Sequence, residues 1–170
     1  MNLILCGMMG AGKTTIGIKI AELTGRRWYD TDGMIVDRHG KISDIFEYYG
    51  EAHFRKLETG VVKELSQKDG LVISTGGGLV LKSENNAILK ENGVIVFLRA
   101  SLETLNKRLI VDGTRPLLQA STESISDRLE RLMEERTPVY EHVADYIVDV
   151  DGKTPEAIAQ EIVGIIGGKQ

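Results

Sequence analysis

The stretch "GMMGAGKTT", Gly7–Thr15, follows the apolar run "NLILC", Asn2–Cys6, and its reading decides the fold. Gly7–Thr14 fits the pattern G-x-x-x-x-G-K-[ST]. A cluster of phosphates has to be wrapped by backbone N–H groups, so glycines are needed where the chain comes close and adopts unusual φ. The helix that follows points its positive end at the anion. Lys13 then reaches the terminal phosphates as a point charge, and the Thr14 hydroxyl is placed to ligate Mg²⁺. Strand, glycine loop and helix in that order predict an α/β nucleotide-binding domain.

Working outward, short β runs alternate with helical stretches. Strands are expected at Leu3–Cys6, Arg27–Asp30, Leu71–Thr75, Val94–Leu98 and Tyr146–Val150. The spacing predicts a helix over Thr14–Thr24, with Ile16, Ile20 and Leu23 on one face and Gly25 closing it. Further helices are expected at Gly33–His39, at Ser43–Gln67 with a possible break at Gly50, and at Ser83–Asn92. In the second of these, Phe54, Leu57, Val61, Val62 and Leu65 fall at helical spacing. Ser101 is the expected N-cap of a helix to Leu109, and Thr154 caps a last helix with Pro155 at its first position. Helix also returns at Ile125 with Leu129, Leu132 and Met133. Between them, Ile110–Ser124 has no period, and a loop of that length reads as an active-site lid. Five strands interleaved with helices argue for a parallel sheet covered on both faces.

Composition narrows the partners. The chain has 170 residues, enough for one domain with a proper core. With 42% hydrophobic and 27% charged residues it is an ordinary globular chain. A net charge of −4 leaves no broad footprint for nucleic acid, so an anionic ligand must be held by a local set of arginines. The single cysteine, Cys6, forms no internal disulfide and reads as a small core residue in a cytosolic protein. No apolar run reaches membrane-span length, and no targeting segment is expected ahead of the first strand.

The special residues fall at strand tips, where ligands of such sheets collect. "DTD" puts Asp30 and Asp32 at i and i+2, on one side of an extended backbone. One could hold Mg²⁺ through water and the other a substrate hydroxyl; equally, Asp32 could cap the next helix. "TGGG", Thr75–Gly78, offers bare backbone to a small molecule. Arg55 sits four residues after Glu51 and three before Glu58, which alone describes a salt-bridged solvent face. Arg108 precedes the unpatterned loop, Arg115 lies within it, and Arg136 ends a helix before Pro138.

Together, "GxxGxGKTT", "DTD", "FRKLE" (Phe54–Glu58), "TGGG", "RPLL" (Arg115–Leu118) and "ERTPVY" (Glu135–Tyr140) resemble the shikimate kinases over nearly the whole chain. The resemblance implies a three-layer P-loop fold with strand order 2-3-1-4-5, as one domain over 1–170, with a lid at about 110–124 and a shikimate-binding region at about 31–60. It implies transfer of the γ-phosphate of ATP to the 3-hydroxyl of shikimate, in aromatic amino acid biosynthesis. ATP would be bound by Met8, Met9, Gly10, Ala11, Gly12, Lys13, Thr14 and Thr15, with Arg108, Arg115 and Lys153. Shikimate would be bound by Asp32, Arg55, Gly76, Gly77, Gly78 and Arg136. Lys13, Asp32 and Arg115 would be catalytic, and one Mg²⁺ would sit on Thr14 and, through water, Asp30. A cytoplasmic monomer is implied, with no nucleic-acid or membrane partner. The alternatives are a related small-molecule kinase, such as a gluconate kinase, and a nucleotide-binding regulator without catalysis.

Overall fold

The structure is a computed structural model that describes residues 1–112 and 124–167. A parallel five-stranded sheet runs through its centre. The strands are β1 (Asn2–Cys6), β2 (Arg27–Asp30), β3 (Leu71–Ser74), β4 (Gly93–Arg99) and β5 (Tyr146–Asp149), in the order β2-β3-β1-β4-β5. Every residue of β1 and β3 is buried, so side chains of both parities are covered and helices must lie on both faces. This is the α/β architecture that the alternation of runs predicts.

The helices are α1 (Lys13–Thr24), α2 (Thr31–His39), α3 (Ile42–Tyr49), α4 (Glu51–Ser66), α5 (Ser83–Glu91), α6 (Leu102–Asp112), α7 (Ile125–Val143) and α8 (Pro155–Gly167). Gly12 opens α1 at φ 97°, a left-handed conformation that a side chain would resist. Gly50, at φ 81°, separates α3 from α4, so the helical stretch expected over Ser43–Gln67 is two pieces, broken where the sequence allowed. The expected caps are in place: the Ser101 hydroxyl accepts from the Thr104 N–H, and that of Thr154 from the Ala157 N–H.

Two expectations need correction. Leu23 is exposed, whereas Ile16, Gly17 and Ile20 are buried. A twelve-residue helix spans ~18 Å, longer than the ~13 Å of a four-residue strand, so the last turn of α1 overruns the sheet. Arg136 does not end a helix: α7 continues through Pro138 to Val143. Proline removes the hydrogen bond to the Glu134 carbonyl, but Glu134 and Pro138 both lie on the exposed side where water replaces it. Burial of Tyr140 and Val143 holds the far half of α7 in place.

The core is continuous from α1 through the sheet to α7 and α8. Cys6 is part of it, and burial pushes its thiol up to about 12, so it stays an inert thiol. Among the described residues no helix is long and apolar enough to cross a membrane.

Candidate active site

The carboxyl ends of β1, β2 and β3 open into one cleft of about 900 Å³. On one side lies the loop before α1. The Lys13 ammonium curls over it and donates to the carbonyls of Gly7, at 2.8 Å, and Met8, at 2.9 Å. Met9, Gly10, Gly12, Thr14 and Thr15 also line the cleft. Met8 and Ala11 are buried beneath the loop, and the Ala11 N–H is bonded to the Met8 carbonyl. Arg108, from α6, donates to the carbonyls of Gly10, at 3.0 Å, and Ala11, at 3.1 Å, and borders the same end of the cleft.

At the tip of β2, Asp30 does two jobs. Its Oδ1 accepts from the Gly33 N–H and caps α2, while its Oδ2 accepts from the Thr14 hydroxyl at 3.0 Å. Asp32 lies within the first turn of α2, not on extended backbone, so the i, i+2 argument for its direction does not hold. It faces the cleft because the helix starts there, and Asp30, not Asp32, is the cap.

Gly76, Gly77 and Gly78 are the centre of the other side. A methyl on Gly76 would fall against the Asp32 carboxylate. One on Gly77 would lie 3.2 Å from Nη1 of Arg136. One on Gly78 would fall against the Arg55 guanidinium. Three consecutive glycines therefore abut the three side chains that the sequence singles out for an acceptor, although Asp32 and Arg136 are 104 positions apart (136 − 32). The loop itself is pinned at both ends: Gly76 N–H donates to the buried Thr31 hydroxyl at 2.9 Å, and Tyr140 Oη donates to the Gly77 carbonyl at 2.6 Å. Burial pushes the Tyr140 phenol up to about 12, so it stays a donor at any ordinary pH.

Arg55 is not on a solvent face. Its Nη1 donates to Glu58 at 2.8 Å and its Nη2 to Glu51 at 3.0 Å. Burial works against the Arg55 charge, but the two carboxylates outweigh it and hold the guanidinium above its usual range. Glu58 is buried, with Oε1 unpartnered among the described residues. Burial raises its carboxyl above the usual range despite the pull of Arg55, and Asp32 adds to the rise. Sequence reasoning missed Glu58 and Tyr140 as parts of this site. Both stand inside quoted motifs, but only burial separates them from surface residues.

Two expected nucleotide contacts stand differently. Lys153 is engaged by Glu161 at 2.6 Å and does not line the cleft, whose wall there is made by Pro155 and Ile158. Arg115 and most of the expected lid lie outside the described residues.

A P-loop facing one aspartate and two arginines across a single cleft defines a P-loop small-molecule kinase. Comparison with known proteins narrows the class. The family model described as shikimate kinase matches residues 9–166. A shikimate kinase from Caldicellulosiruptor bescii is 45% identical over 165 residues, covering 96% of this chain and 94% of its own. The structure of a shikimate kinase from Acinetobacter baumannii in complex with shikimate superimposes with a TM-score of 0.91 at 39% identity, over 99% of this chain and 94% of that one. A gluconokinase from Sinorhizobium meliloti, covering 98% of this chain and 91% of its own, reaches a TM-score of 0.63 at 16% identity, which shows a shared fold alone. This chain belongs to the shikimate kinase family, and its activity is the ATP-dependent phosphorylation of shikimate.

Proposed function

We propose that the two halves of the cleft divide the substrates, with the triphosphate on the α1 side and shikimate between Asp32, Arg55, Arg136 and Gly76–Gly78. The observation that carries this reading is the contact of three successive glycines with those three side chains. A carboxylate is best fixed by arginine, whose planar fork donates two parallel hydrogen bonds. Arg55 and Arg136 hold the ring carboxylate and leave the hydroxyls facing Asp32. The side-chain-free backbone of Gly77 and Gly78 lets the ring lie flat against the loop.

Asp32 orients the 3-hydroxyl and takes its proton as the oxygen attacks the γ-phosphorus; the bond to the bridging oxygen breaks and ADP leaves. Lys13 exchanges its carbonyl partners for the β- and γ-phosphates. Arg108 borders the nucleotide base, beside Pro155. Arg115 supplies a further positive charge to the phosphates. Thr14 and Asp30 offer two hard oxygen atoms within hydrogen-bond reach of each other, a donor pair that suits one Mg²⁺ keeping several waters. When bound, that ion neutralises charge on the transferred group.

A monomer working in the cytoplasm is the reading the family resemblance favours, and one buried cysteine suits a reducing compartment. ADP release measured with and without shikimate tests the reaction. Phosphorylation at the 3-hydroxyl is expected, read by NMR of the product. Equal turnover of gluconate would favour the related-kinase reading, and ATP binding with no response to shikimate would favour a regulator.

A further inference from the structure

On the α1 face of the sheet, a chain of hydrogen bonds leads to the first residue of α1 through Trp28 and Ser74, neither of which is assigned above to either substrate. Trp28 and Asp30 of β2 stand in register with Val72 and Ser74 of β3, so these side chains share one face. The Trp28 indole N–H donates to Ser74 Oγ at 3.0 Å, and the Ser74 hydroxyl donates to the backbone carbonyl of Lys13 at 2.8 Å. An indole is a donor only, so Ser74 Oγ must accept from it, and its own proton is thereby aimed at Lys13. Gly17, one turn further along α1, makes the slot: a methyl there would lie 2.6 Å from both Ser74 Oγ and Trp28 Nε1.

We propose that Ser74, oriented by Trp28, is a positioning residue that sets the depth and rotation of the first turn of α1, and with it Lys13 and Thr14, relative to the acceptor loop. Ser74 is the residue immediately before Thr75–Gly78, so one buried side chain joins the turn that holds phosphates to the loop that holds the acceptor. A second tie, Thr14 Oγ1 to Asp30 at 3.0 Å, lines the cleft itself. The Ser74 tie ends on a backbone carbonyl beneath the helix, where no ligand competes for it. Phosphoryl transfer depends on alignment, so a small shift of α1 against the loop costs rate more than binding.

This inference rests on the kinase reading, and the test separates the two. Ser74→Ala, Trp28→Phe, the double variant and Ile73→Val are compared with wild type for kcat, both KM values and Tm. Ile73 is the buried neighbour of Ser74 on the opposite face. Loss of the hydroxyl is expected to lower kcat roughly tenfold, with KM for shikimate within about twofold. Trp28→Phe, which keeps the ring but not the donor, is expected to lower kcat by a smaller factor. The double variant is expected to fall no further than Ser74→Ala, because Trp28 acts through Ser74. Ile73→Val is expected to lower Tm with kcat unchanged. If Ser74→Ala does not fold, Trp28→Phe alone decides. A wild-type kcat in the folded Ser74 or Trp28 variants, whatever their Tm, overturns the relay. Wild type without shikimate-dependent ATP consumption overturns the kinase reading instead.

Discussion

Arg55 and Glu58 form an ion pair across one turn of α4, Nη1 to Oε2 at 2.8 Å, in which the carboxylate is buried and the guanidinium is about a quarter exposed. The pair aims Arg55 at Gly78 and so at the acceptor pocket. Glu51 adds a second, exposed anchor, worth little by itself.

Arg55→Ala removes a proposed substrate ligand and also strands a buried carboxyl. KM for shikimate is expected to rise about 10- to 100-fold, the worth of a charge-assisted pair of hydrogen bonds. Stability is expected to fall by about 1–3 kcal/mol from the unpaired Glu58. Adding Glu58→Gln recovers much of the stability and none of the KM. Urea denaturation beside steady-state kinetics reads both, and an unchanged KM in the Arg55 variant would falsify the clamp.

The raised carboxyl of Glu58 sets a direction for pH dependence. Its folded-state pKa lies above its unfolded one, so between the two the native state binds more protons. The Glu58 contribution to stability is therefore complete below the ordinary carboxylate range and is lost as pH rises through the raised value. Relative to Glu58→Gln, wild type is expected to lose stability over that window and to run parallel above it. Denaturation midpoints at a series of pH values show this; an opposite slope would mean that Arg55 dominates over burial.

Tyr140→Phe leaves the Gly77 carbonyl without its donor. The expected loss is about 1–3 kcal/mol of stability, the cost of an unsatisfied buried acceptor. Because Gly77 abuts Arg136, KM for shikimate should rise as well while KM for ATP holds. A shift in the ATP constant alone would count against this coupling.

Gly76→Ala drives a methyl into the Asp32 carboxylate. The chain can still fold, since Gly76 has no left-handed φ to lose. Turnover is expected to drop roughly 100-fold, as for an ångström-scale displacement of a reacting group. Circular dichroism confirms the fold, and retained kcat would place Asp32 outside the chemistry.

Lys13→Ala removes the charge proposed to meet the terminal phosphates. A kcat loss on the order of 10²–10³-fold is expected, the scale of a lost transition-state donor. Lys13 itself lines the cleft, so water admitted in place of its ammonium can bond the buried Gly7 and Met8 carbonyls, and Tm is expected to stay close to that of wild type.

The sequence by itself determined whatever depends on contiguous backbone. The glycine loop and the helix after it were legible because a phosphate cradle is built from neighbouring N–H groups and needs no distant partner. The five strands were legible from continuous apolar runs, and their tips from the polar residues that end them. The two arginines of the acceptor pocket were legible only through the resemblance. Arg55 alone reads as half of a helical salt bridge, and Arg136 as the end of a helix that in fact runs on through Pro138.

Tertiary structure decided the rest. Placing β3 between β1 and β2 brings Gly76–Gly78 beside Asp32, and the packing of α4 and α7 then brings Arg55 and Arg136 to the same loop. It buried Glu58 and Tyr140, turned Lys153 toward Glu161, and set Ser74 beneath Lys13. Burial and long-range pairing belong to the order of strands in the sheet and not to any window of residues, which is why those roles carry no local mark.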